Sequence, residues 1–190
     1  MEYYVVKYSG PFGFIKPWTA VRDSETFSQQ FLTPSIVEGI EKKMFPELLR
    51  ASGIKAIKGH RLNYQTVDMQ QERTWAKGGF KATKEKGVWK TNLGILSRGV
   101  MLNPNLYLAF GNEDYATRAM EQTVCLCRNE DILFPETLDQ LTLDKWNEIN
   151  GFELLFTESD QGFKVGYNRF NMNAEMFGKL KIYGNPIREV

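Results

Sequence analysis

The sequence predicts an α+β fold with a ferredoxin-like core and an antiparallel sheet. Three observations carry this. The β-branched and aromatic run YYVVKY at 3–8 has the composition of a short first strand. TPSIVEGIEKKMFPELL, from Thr33, has the start signal and the spacing of a helix. The order strand, helix, strand, strand, helix, strand then extends to about residue 133, which is the order of a ferredoxin-like core.

Each element has its own warrant. SGPFG at 9–13 ends the first strand, and FIKPW at 14–18 reads as another short extended piece. Thr33 suits the N-cap and Pro34 the first helical position. Ser35 with Glu38 offers an alternative capping box that would start the helix two residues later. Ile36, Val37, Ile40, Met44 and Phe45 share one apolar face, and Gly39 beside it permits close packing. Pro46 ends the helix near Phe45. Residues 54–69 alternate as a strand or hairpin does. Residues 70–92 hold three glycines, several lysines, two Trp and one Phe without a lasting period, and read as a long exposed excursion. Residues 93–111 return to strand chemistry with a turn at NPN, and 113–127 suit a second helix running into a strand. GFELLF, GFKVGYNRF and KLKIYG follow as short strands between Gly, Asn and Asp turns. The expected division is a domain over 1–133 carrying the excursion, and a small β-rich part over 134–190 packed on the same body.

With 190 residues and 42% apolar composition, one domain with a sizeable core is expected. Net charge is only +1, so affinity for an anionic partner must come from a local cluster. Cys125 and Cys127 are two residues apart, pointing the same way on a strand, so two reduced thiols are expected. With one histidine in the chain, they cannot complete a zinc site. The N-terminus lacks the pattern of a signal peptide, and no apolar run reaches the ~18 residues needed to span a bilayer. A soluble cytoplasmic protein is expected. No cofactor is expected either, since Walker, dinucleotide-binding, G-x-S-x-G and H-E-x-x-H patterns are absent.

Catalytic candidates are thin. His60 sits in strand-like surroundings and is expected to be exposed or structural. Glu113–Asp114 and Glu130–Asp131 are adjacent pairs best explained as solvated turns. The excursion is the strongest signal. From Glu72 to Arg98, seven basic residues (Arg73, Lys77, Lys81, Lys84, Lys86, Lys90 and Arg98) face only Glu72 and Glu85. Trp75, Phe80 and Trp89 are interleaved with them. Lysines neutralise phosphates, and aromatics stack on or wedge between unpaired bases, so the composition suits single-stranded RNA. A solvated loop whose Trp residues pack back on the body is the structural alternative. The stretch before the first helix adds Lys16, Arg22, Ser24, Thr26, Ser28, Gln29 and Gln30. These can donate to phosphate oxygens, 2′-hydroxyls or base edges beside the positive end of a helix.

The pattern as a whole resembles the fifth family of CRISPR-associated (Cas) proteins, RAMP-superfamily subunits of the type I surveillance complex Cascade. YSGPFGFIKPW is similar to the family's first strand with its Gly-Pro and aromatic. TFSQQFLTPSIVEGI is similar to its polar loop and helix start, ILSRGVMLNPNLYLAF to the strands after its thumb, and CLCRNEDIL to its L-G-R-x-E-D segment. The match covers roughly residues 3–133, with Cys127 where the family usually has Gly. The resemblance implies an RRM/RAMP-like core with a protruding thumb hairpin. It also implies a non-catalytic subunit that caps the 5′ handle of CRISPR RNA beside the backbone and large subunits, meeting target DNA only through the complex. Lys81, Lys84, Lys86 and Lys90 would hold phosphates, with Phe80 or Trp89 wedging. Lys16, Arg22, Thr26, Gln29 and Gln30 would grip the handle, and Arg98 and Arg128 match further basic positions. The chain is short, like the compact type I-B and I-A members. Two alternatives stay open: a metal-independent precursor-RNA endoribonuclease using a Tyr, Lys and His set, and a protein-interaction module without RNA.

Overall fold

The computed structural model describes residues 2–20, 24–75, 79 and 81–187. In chain order these form β1 (Glu2–Ser9), β2 (Phe12–Gly13), β3 (Glu25–Phe27), α1 (Pro34–Met44), β4 (Ile57–Asn63) and β5 (Thr66–Trp75). There follow β6 (Ala82–Glu85), β7 (Val88–Thr91), β8 (Leu93–Leu102), β9 (Asn105–Phe110), α2 (Glu113–Met120) and β10 (Val124–Cys125). The chain closes with β11 (Ile132–Thr142), α3 (Leu143–Glu148), β12 (Gly151–Thr157), β13 (Phe163–Asn168) and β14 (Ala174–Tyr183).

The main sheet has the order β10-β11-β1-β9-β4-β12-β14-β13. Its inner four, β11-β1-β9-β4, are antiparallel throughout and interleave with α1 and α2 as a ferredoxin-like core. The predicted fold class is the observed one. β12, β14 and β13 extend the same sheet beyond β4. The residue 133/134 division falls inside β11, whose first two residues pair with β10 and whose remainder, from Phe134 to Thr142, pairs with β1.

α1 begins at Pro34, with Thr33 extended as the cap residue but making no side-chain cap bond. The alternative capping box does not form, because Ser35 lies inside the helix. Pro46 ends it as expected, opening a single 3₁₀ turn at Pro46–Leu48. Val37, Ile40, Met44 and Phe45 are buried against Val6, Tyr8, Leu62, Leu106 and Phe110 of the sheet, and Ala116 and Ala119 of α2 complete that layer. Each large side chain removed from water there stabilises by about 1.5–3 kcal/mol. On the opposite face, Trp146 of α3 covers Val5 and Ala109. Gly59 admits it: a Cβ there would lie 3.0 Å from the indole. Two buried carboxylates anchor α1. Glu41 accepts from the N–H groups of Lys55, Ala56 and Ile57 at 2.7, 2.6 and 2.9 Å. Glu38 pairs with Lys42 at 2.6 Å and accepts from Asn168 at 3.1 Å, tying the helix to the end of β13.

Two expectations change and a third is met. The piece at 14–18 is not a strand; β2 ends at Gly13 and pairs with β8. The excursion, without a period in its sequence, forms the protruding hairpin that the resemblance implies. β5 and β8 pair from Thr66↔Leu102 to Trp75↔Leu93, and β6 with β7 forms the tip. Asp131 is not in a solvated turn but fully buried. Among the described residues no helix is long and apolar enough to cross a membrane.

Candidate nucleic-acid interface

The β5–β8 hairpin has two unlike faces, because opposite residues of an antiparallel pair share a face. One face carries Met69, Trp75, Leu93 and Ile95, and Phe27 of β3 lies beside them over Gly99. All five are exposed, between 45% and 59%. The tip turns at Lys86 and Gly87, both in the left-handed region with φ 48° and 80°. That is the pattern of a two-residue hairpin turn whose twist suits the strands. Lys84 and Trp89 are directly opposite, the ammonium 6.0 Å from the indole centroid. Trp89 is 67% exposed. Lys90 pairs with Glu85 at 2.6 Å, while Lys81, Lys84 and Lys86 enter no ion pair among the described residues. Phe80 and Lys77 lie outside the described residues.

The other hairpin face is latched to the body. Arg128 donates to Gln70 at 3.1 Å, lies 3.9 Å from Glu72, and holds Asp131 through Nε and Nη2 at 2.9 and 2.7 Å. Asp131 raises the guanidinium further above its already high range. Arg98 donates to Glu72 at 3.4 Å, and both guanidiniums lie over Phe14, at 5.7 and 5.2 Å. Arg98 and Arg128 thus set the hairpin's position; their charge is met by carboxylates rather than left open. Cys127 has no positive φ, so the departure from Gly costs no backbone strain there.

The stretch before α1 is mostly used internally. Thr26 is buried in β3, which runs parallel to β8 opposite Arg98. The Ser28 hydroxyl accepts from the Ile15 N–H and donates to the Gln29 carbonyl, both at 2.9 Å. The Gln29 amide donates to Phe31 O at 2.7 Å. Gln30 is half-buried, and Arg22 lies outside the described residues. The dense polar run is therefore largely the means of fixing β3 and the loop against β8 and Ile15.

Beside that loop, a cleft of about 460 Å³ opens. Lys16 and Gln29 line it, as do Thr33, Ser35, Gly39 and Lys43 around α1, Cys125 and Cys127 on a third side, and Tyr167 and Arg169 from the C-terminal strands. Among the described residues no carboxylate lines it. Lys16, Lys43 and Arg169 form no ion pair among the described residues. Trp18 and Tyr167 meet edge to face, centroids 6.0 Å apart. Gly166, at φ +127° in an irregularity of β13, lets the backbone approach Trp18; a Cβ there would come within 3.2 Å. Gly39 similarly makes room for Arg169, whose Nη2 would be 2.8 Å from an added Cβ. Trp18, Lys43, Tyr167 and Arg169 carry no local signal that marks them in the sequence. Residue pairs as far apart as Lys16 and Arg169 meet only through the extension of the sheet by β12–β14.

His60 stands apart. It is buried at 4% exposure, stacked on Phe156 at 5.5 Å, and its Nε2 has no hydrogen-bond partner. It lines a smaller cavity of about 180 Å³ with Glu153 and Lys58, not the basic cleft. Tyr64 is buried and stacked on Phe152. Both cysteines are free, as expected; Cys127 is exposed and Cys125 half-buried. No cluster of three His, Cys, Asp or Glu suited to a metal ion occurs among the described residues.

These features define a ferredoxin-like α+β protein with a projecting basic hairpin and a basic, aromatic-edged cleft. Its fold is shared with a solved chain described as "CRISPR RNA-guided surveillance complex", at TM-score 0.54 and 9% identity, over 97% of this chain and 91% of that one. A second solved chain, described as "Crystal structure of Cas protein", aligns over 99% of this chain and 98% of its own, with 12% identity and TM-score 0.48. No family model and no curated protein matches the sequence.

Proposed function

We propose that this protein is a non-catalytic RNA-binding subunit of a type I CRISPR surveillance complex. In this reading it acts in the cytoplasm, caps the 5′ handle of the CRISPR RNA, and contributes to antiviral defence. The observation that carries the reading is the hairpin tip. On a fold shared with a surveillance-complex chain, Lys81, Lys84 and Lys86, which enter no ion pair among the described residues, stand beside an exposed Trp89. That combination suits phosphates and an unstacked base. On the hairpin face they share with Gln71, Arg73 and Trp75, Leu93, Ile95 and Met69 support the protein partners: these three cannot stack as aromatics do, and they suit burial against a neighbouring subunit.

The position of His60 favours binding over cleavage. A general base must reach the proton it removes, and this imidazole is enclosed between strands. Two measurements test the reading. Filter binding of repeat-derived handle RNA over a salt series should give an affinity that falls linearly on a log–log plot. A flat response, or no binding even in the assembled complex, overturns it. Incubation with labelled repeat RNA in EDTA should leave the RNA intact; specific cleavage lost on His60→Ala would establish the endoribonuclease instead.

A further inference from the structure

The cleft beside α1 is built from parts of the chain far apart in sequence, and its chemistry is one-sided. Three cations converge on it, no carboxylate among the described residues lines it, and the hydroxyls of Thr33 and Ser35 and the Gln29 amide edge it. Elsewhere on the body, cations are commonly met by acids: Lys7 by Glu136 and Arg118 by Glu47. A divalent cation would find no anionic ligand here. An apolar ligand would leave three charges unmatched. An anion with a flat aromatic part matches both halves: phosphate oxygens for Lys16, Lys43 and Arg169, and a ring for the corner made by Trp18 and Tyr167. Those two rings are 47% and 50% exposed, and Lys164 lies over both, 5.5 and 4.3 Å from their centroids, so a fourth cation borders the corner. The volume lies within the ~300–1,000 Å³ of small-ligand sites.

We propose that this cleft seats one nucleotide of the bound RNA, its base against Trp18 and Tyr167 and its phosphate on Lys16, Lys43 and Arg169. The proposal rests on the RNA-binding reading above and adds a second contact region, separate from the hairpin tip. Glycine at 166 and at 39 is part of the site, since each leaves room for the side chain that lines it, Trp18 and Arg169.

The test uses the full-length protein and a handle RNA carrying 2-aminopurine at one position at a time. One position should be quenched on binding, and the quench should vanish in Trp18→Ala but persist in Trp18→Phe and in Trp89→Ala. Trp18→Ala should weaken RNA binding about 5- to 150-fold, the range that ~1–3 kcal/mol of base stacking gives. An abasic residue at the quenched position should weaken binding to the wild type but not to Trp18→Ala. Lys43→Glu with Arg169→Glu, both exposed side chains whose replacement leaves the fold intact, should weaken binding at least tenfold and flatten the salt slope. If these cleft variants bind and quench as the wild type does while Lys81→Glu, Lys84→Glu and Lys86→Glu together lose RNA, the cleft proposal is overturned and the RNA reading stands. If the wild type binds no RNA, both fall. If inorganic phosphate displaces the RNA and the abasic substitution has no effect, the site takes phosphate alone and the nucleotide proposal fails.

Discussion

At the scale of single residues, burial decides what a side chain can do. His60 is held neutral: its imidazole is pushed down to about 4, chiefly by burial and further by the neighbouring Arg61 charge. Lys58 and Glu153 line the same small cavity. An unfolded histidine titrates near 6.5. Below that pH the unfolded chain takes up a proton that the folded chain refuses until about pH 4. This group therefore leaves stability unchanged above pH 6.5 and lowers it as pH falls from 6.5 to 4, by about 3 kcal/mol in full. Urea unfolding of the wild type should lose about 2 kcal/mol between pH 7 and pH 5 from this group. His60→Phe, which keeps a ring against Phe156, should remove most of that loss; an unchanged acid limb would show that the imidazole is not the titrating group. The sequence presented His60 beside Arg61 without placing either. Arg61 proves fully buried, its Nη1 donating at 2.7 Å to the carbonyls of Trp146 and Ile149 at the end of α3. Asp131 was similarly hidden, because its burial comes from Arg128 and the closing of β10 on β11.

At the scale of elements, α1 was readable because its signals are local. A proline opens it, a proline follows it, and its apolar spacing has the period of the helix it forms. What the sequence did not show is that α1 also organises the start of β4, through Glu41. Replacing this carboxylate by Glu41→Gln puts an amide donor against three backbone N–H groups that need acceptors. The expected cost is about 2–4 kcal/mol, measured as a lowered urea midpoint at unchanged m-value. Met44→Asp, 1% exposed in the wild type, should cost more and abolish cooperative unfolding. An equal stability for Glu41→Gln and wild type would show that those three N–H groups are satisfied otherwise. The tip strands were unreadable for the opposite reason. Every residue of β6 and β7 is exposed, so no face is selected for apolar side chains and no alternation marks the strand. β11 hid likewise: past Pro135 most of its residues are exposed, and PETLDQLT carries little hydrophobic signal.

At the scale of the whole molecule, a nearly neutral chain separates its charge. Among the described residues, the hairpin tip and the cleft each hold cations without an ion pair, while Arg98 and Arg128 are met by Glu72 and Asp131 at the joint between hairpin and body. The sequence located the first group because its lysines are close in number. It could not locate the second, whose cations come from residues 16, 43 and 169 and meet only when β13 joins the far end of the sheet. Nor does a run of residues reveal which acids fold back upon Arg98 and Arg128, two of its candidate ligand contacts. The separation makes a distinct prediction for charge reversal. Lys81→Glu, Lys84→Glu and Lys86→Glu together alter residues that touch no core, so the thermal midpoint should move by less than about 2 °C. RNA affinity should nevertheless fall, and the slope of log K against log salt should drop by about 2, since each single-strand phosphate left without its lysine removes about 0.7. Arg128→Ala should show the reverse balance. It leaves Asp131 buried without its partner, so stability should fall by about 3–5 kcal/mol, while at a temperature where the variant is folded the salt slope should change by less than the amount one phosphate carries. A large loss of slope in Arg128→Ala with little loss of stability would instead make the joint itself a phosphate site and the hairpin's anchorage independent of it.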